Sequence, residues 1–293
     1  MVTLTHGLSA FGAGLLLGAI IRRLIPWLLR LKDRSLPFAG PFVEVGLATL
    51  FAVTWWRLGW RFGPWPYIVA MLLLGACACD YLVKLIPDVI TLPGTLLAIA
   101  WAAFGDGGVL LKLPLQAALL REIFPELTSS AAGTGLTASA GALTGFLCLE
   151  TLRRTFGLLV GLEVMGFGDS KMALLLGSVL GPIGVLMALP LAFCIGVVHG
   201  LVILSLTGQP HSPFGPPLAL GGLAVLLTGG DLLLWIGGFQ RRLLALPVGI
   251  LAGLYATLLA IVVWLLWRTR RRAREYEQRI EDDYRQIEEQ LEP

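Results

Sequence analysis

Two carboxylates stand out because each lies where an ionisable group is costly. Asp80 closes the apolar run Met71-Leu-Leu-Leu-Gly-Ala-Cys-Ala-Cys79. Asp169 sits in Gly166-Phe-Gly-Asp169-Ser-Lys171, at the head of a second long apolar stretch. An acid inside a membrane segment is rare and marks function by default. Two of them at similar depth meet the need of aspartic peptide-bond hydrolysis. Carboxylates sharing a poorly solvated site do not both ionise readily, so their titrations separate. The ionised member takes a proton from water while its protonated partner donates to the scissile carbonyl. Neither a metal nor a covalent nucleophile is required. Gly166 and Gly168 suit this arrangement, since a position without a side chain admits a substrate backbone or a neighbouring helix. A plainer reading stands beside each acid: Asp169 as a helix N-cap, and Asp80 as the structural partner of an Arg or Lys.

The elements that must position these acids are helices in lipid. Hydrophobic residues make up 56% of the 293 positions and charged residues 14%, with a mean hydropathy of +0.81. A soluble domain carries about a quarter charged residues, and a span needs roughly 20 apolar ones. The pattern predicts an all-α polytopic membrane protein, a bundle of about nine transmembrane helices. They fall at 6–29, 41–60, 66–86, 90–105, 135–158, 170–186, 188–207, 216–236 and 244–267. Gly181-Pro182 and Pro190 separate the sixth from the seventh. Positive charge follows the first helix (Arg22, Arg23, Arg30, Lys32, Arg34), recurs at Lys84, Arg153 and Arg154, and returns at Arg268 to Arg274. That bias puts the N-terminus outside, the C-terminus in the cytoplasm and both acids toward the cytoplasmic side. Trp55, Trp56, Trp60 and Trp65 then form an aromatic cluster at the outer interface.

Three parts follow: a membrane domain at 1–240, an additional helix at 241–267 and a charged helical tail at 268–293. Tyr276, Ile280, Tyr284, Ile287 and Leu291 recur at helical spacing in the tail, either as a short seam for self-association or as a solvated juxtamembrane helix. An amphipathic stretch at Leu115–Leu127 suits the lipid interface. The N-terminus has no positive region before its first apolar run, which reads as a retained helix. A net charge of +3 gives no hint of nucleic-acid binding. Cys77, Cys79, Cys148 and Cys194 form no C-x-x-C pair, and His6, His199 and His211 are scattered. No metal and no cofactor are expected. His199 reads as a packing residue.

Taken together, the motifs resemble those of type IV prepilin peptidases, membrane aspartic peptidases with a G-x-G-D element. The segment from Asp80 through Pro87-Asp88 to Pro93 is similar to the family's first active-site segment, and Gly166 to Lys171 to its second. Pro41-Phe-Val-Glu44 matches a Pro-x-x-Glu element before the second helix, and Pro213-Phe-Gly-Pro216 the turn that opens the last family helix. The resemblance implies Asp80 and Asp169 as catalytic. Asp88 falls in the family's Pro-Asp element, read as a helix N-cap beside the site rather than a third catalyst. Lys84 and Lys171 bias the local potential or anchor loops, or are simple positive-inside lysines. Glu44 contacts a helix end or substrate, or is a buried structural acid.

Departures matter too. Bifunctional members, which also methylate the new N-terminus, carry two C-x-x-C pairs between the first two helices; here Leu31 to Gly40 holds no cysteine. Gly18-Ala-Ile-Ile-Arg22 replaces the family's G-S-F-L-N element. The implied activity is removal of a short basic leader from prepilin or pseudopilin precursors at the cytoplasmic face of a bacterial inner membrane, without methyl transfer. From another class comes a proton-coupled transporter or channel using the same acids as a relay.

Overall fold

Helix is what a chain in hydrocarbon must form, because every backbone N–H and C=O has to be satisfied within its own segment. The computed structural model describes residues 2–28, 42–59, 63–104, 131–160, 165–207 and 212–244, with single positions at 253, 257, 260, 264, 267 and 271. Among these residues there are seven helical segments: α1 (Val2–Leu28), α2 (Phe42–Leu58), α3 (Trp65–Val83), α4 (Asp88–Phe104), α5 (Ala131–Val160), α6 (Phe167–Thr207) and α7 (Gly215–Leu244). The loop at 31–40, the stretch at 115–127, His211, Trp60 and nearly all of 245–293 lie outside the described residues. Three helices are long and apolar enough to cross a membrane by length and composition, within Thr5–Ile25, Gly133–Leu158 and Phe167–Ile203. Shorter apolar helices lie at Trp65–Tyr81, Asp88–Phe104 and Gly215–Thr228.

The chain divides into two compact units, Met1–Glu150 with Gly166–Leu232, and Thr151–Met165 with Leu233–Pro293. In the second, the Arg271 guanidinium lies 5.7 Å from the centre of the Trp267 ring. Everything below concerns the first unit.

Two expected boundaries move. The sixth and seventh predicted helices are arms of α6, and the break falls at Gly181 (φ 71, ψ 177), not near residue 187. Only a residue without Cβ takes that conformation at little cost, and Pro182 then opens the second arm, where its missing N–H is harmless. Pro190 stays within that arm. The break is a reversal. A Cβ built on Gly145 would lie 3.0 Å from both the Ala173 carbonyl carbon and a Val185 methyl, whereas twelve residues of straight helix span about 18 Å. Helix α3 also ends early, at Val83, because Lys84 adopts the left-handed conformation (φ 51, ψ 37) and donates its N–H to the Asp80 carbonyl. Asp80 therefore occupies the last turn of α3, nearer its end than the predicted 66–86 helix implies.

Small residues set the helix spacing, as expected where lipid offers no hydrophobic drive between helices. A Cβ on Gly14 would sit 2.5 Å from the Ala48 Cα, and one on Gly18 the same distance from the Glu44 Cα, so α1 and α2 pack backbone to backbone. Gly141 on α5 faces Gly177 and Gly181 of α6 as closely. Gly94 of α4 fits between Leu72 and Leu175. Around these contacts the core collects Leu73, Ala76, Met172, Leu175, Leu176, Leu218 and Val225, all essentially inaccessible. Trp65 belongs to it rather than to an interface belt: it is 2% exposed and stacks on Trp101 at 5.6 Å. Trp56, by contrast, is 89% exposed.

Gly141→Ala tests the spacing, since the added methyl would lie 2.6 Å from the Gly181 Cα. Overpacking against backbone costs about 1–3 kcal/mol. The expected result is a lower unfolding midpoint in detergent than for Ala140→Gly, a change at an exposed neighbour on the same helix.

Candidate active site

Three helix ends converge on one cavity of about 540 Å³. The end of α3 brings Asp80 and Lys84, the connection after it Ile86, the start of α4 Asp88, and the start of α6 Asp169 and Lys171, with Gly166 and Gly168 on the approach. All seven of those site residues expected from the sequence line this space. Asp80 and Asp169 are each 7% exposed, and both line this one cavity. Glu44 is elsewhere. One of its oxygens meets the Arg22 Nε at 2.9 Å, and the other is buried without a hydrogen-bond partner. This ion pair joins α1 to α2.

The two acids differ in their surroundings, with Lys84 on the same cavity as Asp80 and Gly166 beside Asp169. Asp169 is the third residue of α6, inside the helix rather than at its N-cap, and its own N–H donates to the Gly166 carbonyl at 3.2 Å. Asp169 also lines the cavity, and its Oδ2 lies 3.8 Å from the Cβ position of Gly166 just before the helix. Asp80 takes its hydrogen bond from the backbone: the Gly215 N–H donates to Asp80 Oδ2 at 2.8 Å, in a buried contact. Asp88 opens α4 and its carboxylate turns across to Lys171, 2.5 Å away, while Pro87 accepts the first N–H groups of the helix. The N-cap expected at Asp88 is thus held by its neighbour. Lys171 also lies 4.8 Å from the centre of the Phe167 ring, which fixes its ammonium at the cavity wall. Gly168 is needed for close approach, because a Cβ there would come within 3.2 Å of the Ile86 Cβ.

Sequence reasoning missed three contributors. Gly215 was visible only as part of a turn motif; nothing local said that its N–H reaches a residue 135 positions away. Glu150 and Ser170 form a buried pair, Ser170 Oγ to Glu150 Oε2 at 3.2 Å, behind the turn that carries Asp169. A buried acid on α5 was the available signal. Ile86 is the third, as the surface that Gly168 meets. Among the described residues no three His, Cys, Asp or Glu side chains gather as a metal would need.

Comparison with known proteins finds a family for the part of the chain that carries this cavity. Residues 67–201, which hold both acids, match the model of the type IV leader peptidase family. Over those residues the chain is similar to that family, one of membrane aspartic peptidases. It is similar to the prepilin leader peptidase/N-methyltransferase of Xanthomonas campestris pv. campestris, 28% identical over 74% of this chain and 69% of that protein. The protein of the same name from Pseudomonas putida is 31% identical over 66% of this chain and 59% of its own length. A type 4 prepilin-like proteins leader peptide-processing enzyme of Escherichia coli O78:H11 is 28% identical over 69% of this chain and 68% of its own. No solved structure is a significant match.

The Asp88–Lys171 pair joins α4 to α6 with the acid half exposed and the lysine largely covered. Partly exposed pairs contribute about 0.2–1 kcal/mol. Asp88→Asn and Lys171→Met should each lower stability by that order, and the double variant by less than the sum of the two. Chemical unfolding of the four proteins in one detergent measures the coupling.

Proposed function

We propose that this chain is a membrane aspartic endopeptidase that removes leader segments from prepilin-like precursors, with Asp80 and Asp169 as its catalytic pair. The observation that carries the reading is the burial of both carboxylates on one cavity, inside the stretch that matches the leader peptidase family. The chemistry follows from the pair. One ionised carboxylate takes a proton from a water held between the two, and the resulting hydroxide attacks the scissile carbonyl. The protonated partner donates to the carbonyl oxygen, and the leaving amine then receives a proton. Gly166 leaves the approach to Asp169 open for a substrate backbone, with nothing nearer to its Cβ position than 3.8 Å.

The cavity faces the cytoplasm in this reading, and the membrane is a bacterial inner membrane. Support comes from the positive charges at Arg22, Arg23, Lys84, Arg153, Arg154 and Arg268 to Arg274, which favour the cytoplasmic side of a bundle with its N-terminus outside. The reading also excludes methyl transfer. Its support is the cysteine-free segment between α1 and α2, together with Arg22 where the family's G-S-F-L-N element carries Asn. The Xanthomonas and Pseudomonas relatives bear both activities in their names, so the two functions separate here by assay alone.

Co-expression with precursors of the prepilin class, followed by mass analysis of their N-termini, tests both parts. The expected product is a shortened chain without an added methyl group. Asp80→Asn and Asp169→Asn should each leave the precursor intact while the variant stays folded in the membrane. Undiminished processing by both variants would refute the catalytic assignment. A methylated product made by the purified enzyme would overturn the second claim and leave the first standing. Proton flux through liposomes without any cleavage would favour the transporter reading.

A further inference from the structure

The Pro213-Phe-Gly-Pro216 turn has no task in the reaction as drawn so far, yet its backbone ends on Asp80. The Gly215 N–H donates to Asp80 Oδ2 at 2.8 Å. The turn is also shaped around that carboxylate, since a Cβ on Gly215 would lie 2.5 Å from Oδ2 and 3.0 Å from Cγ. Three contacts hold it to its neighbours. Ser212 Oγ meets His199 Nδ1 at 2.7 Å, the Phe214 ring lies 5.1 Å from that of Phe193, and the Cys77 thiol reaches the Gly215 carbonyl at 3.7 Å. Gly196 leaves the slot that Phe214 fills, its Cβ position being 3.1 Å from the ring. Phe193, Gly196 and His199 are on the second arm of α6, whose first arm carries Asp169.

Resting on the peptidase reading, we infer that Gly215 is a positioning residue of the reaction, whose backbone N–H fixes the Asp80 carboxylate in its water-activating orientation. One oxygen of Asp80 is committed to the turn, which leaves the other for water. The amide at the first position of α7 is among the four at a helix start that lack an intrahelical acceptor, so the bond costs the helix nothing. It also sets a donor and the positive end of α7 against the oxygen that must hold negative charge. Through the contacts of Ser212 and Phe214, α6 aligns both aspartates: Asp169 directly, and Asp80 by way of the turn.

Side-chain replacements at residue 215 would add atoms against Asp80, so the test removes the N–H alone. Glycolate placed at position 215 by nonsense suppression turns the amide into an ester of nearly the same shape. Leucic acid at position 218 is the control, because the Leu218 N–H donates to the Phe214 carbonyl at 3.0 Å in the same turn without touching Asp80. Loss of a hydrogen bond to a charged group predicts a fall in kcat of at least about tenfold for the 215 ester, with KM within about twofold. The 218 ester should keep kcat within about twofold while losing a similar part of its thermal midpoint. Equal kcat losses in the two esters would make the contact merely structural, and an unchanged kcat at 215 would overturn the inference outright. Either result would leave cleavage by the unaltered enzyme, and with it the peptidase reading, intact. An unaltered enzyme that cuts no precursor would remove both.

Discussion

A carboxylate that has to ionise inside an apolar bundle needs a donor held ready for it, and side-chain donors are scarce among leucines and glycines. The backbone supplies one where a helix begins. Asp80 needs it more than most acids would, because it sits in the last turn of α3, against the negative end of that helix's own dipole. The Gly215 amide at the start of α7 opposes this field from 2.8 Å, and α6 and α4 also begin at the cavity. One helix end that repels negative charge is thereby surrounded by three that attract it. The site is a meeting of termini more than a cluster of side chains.

That meeting fixes what the remaining chain must do. Helices whose ends converge have to pack closely along their lengths, and no water is expelled between helices in lipid to drive this. Close van der Waals contact at small residues takes its place. Gly141, Gly145 and Gly177 bring α5 onto α6, and Gly221 brings α7 against Ala188 and Ala192 of the second arm. The polar contacts are sparing and serve orientation: Asp88 with Lys171, Ser170 with Glu150 and Arg22 with Glu44. Each joins two different helices.

Much of the site could be read from the sequence because acids in apolar runs are few and the glycines flank one of them. Helix counting puts Asp80 and Asp169 at similar depth, and the family resemblance adds Asp88 beside them, with Lys84 and Lys171 left open. What could not be read was partnership at long range. Asp169 in a Gly-Asp-Ser context looks like an N-cap, and only the start of α6 at Phe167 shows that it is not. Asp88 after a proline looks like one too, and only the fold shows Lys171 across from it. Trp65 joins the core because Trp101 comes to meet it, which hydropathy cannot foresee. Glycine and proline, both present at Gly181-Pro182 and one at Pro190, told that α6 would be interrupted. They did not say where, because proline alone is compatible with a continuing helix while a left-handed glycine is not.

The reversal at Gly181 changes how the chain should be counted across a bilayer. Forty-one residues of uninterrupted helix would make one oversized crossing and deliver their two ends to opposite leaflets. Folded at Gly181, the same residues return toward the end from which they set out, so Asp169 and the turn before α7 arrive together. A single torsion angle thus decides the direction in which α7 is approached.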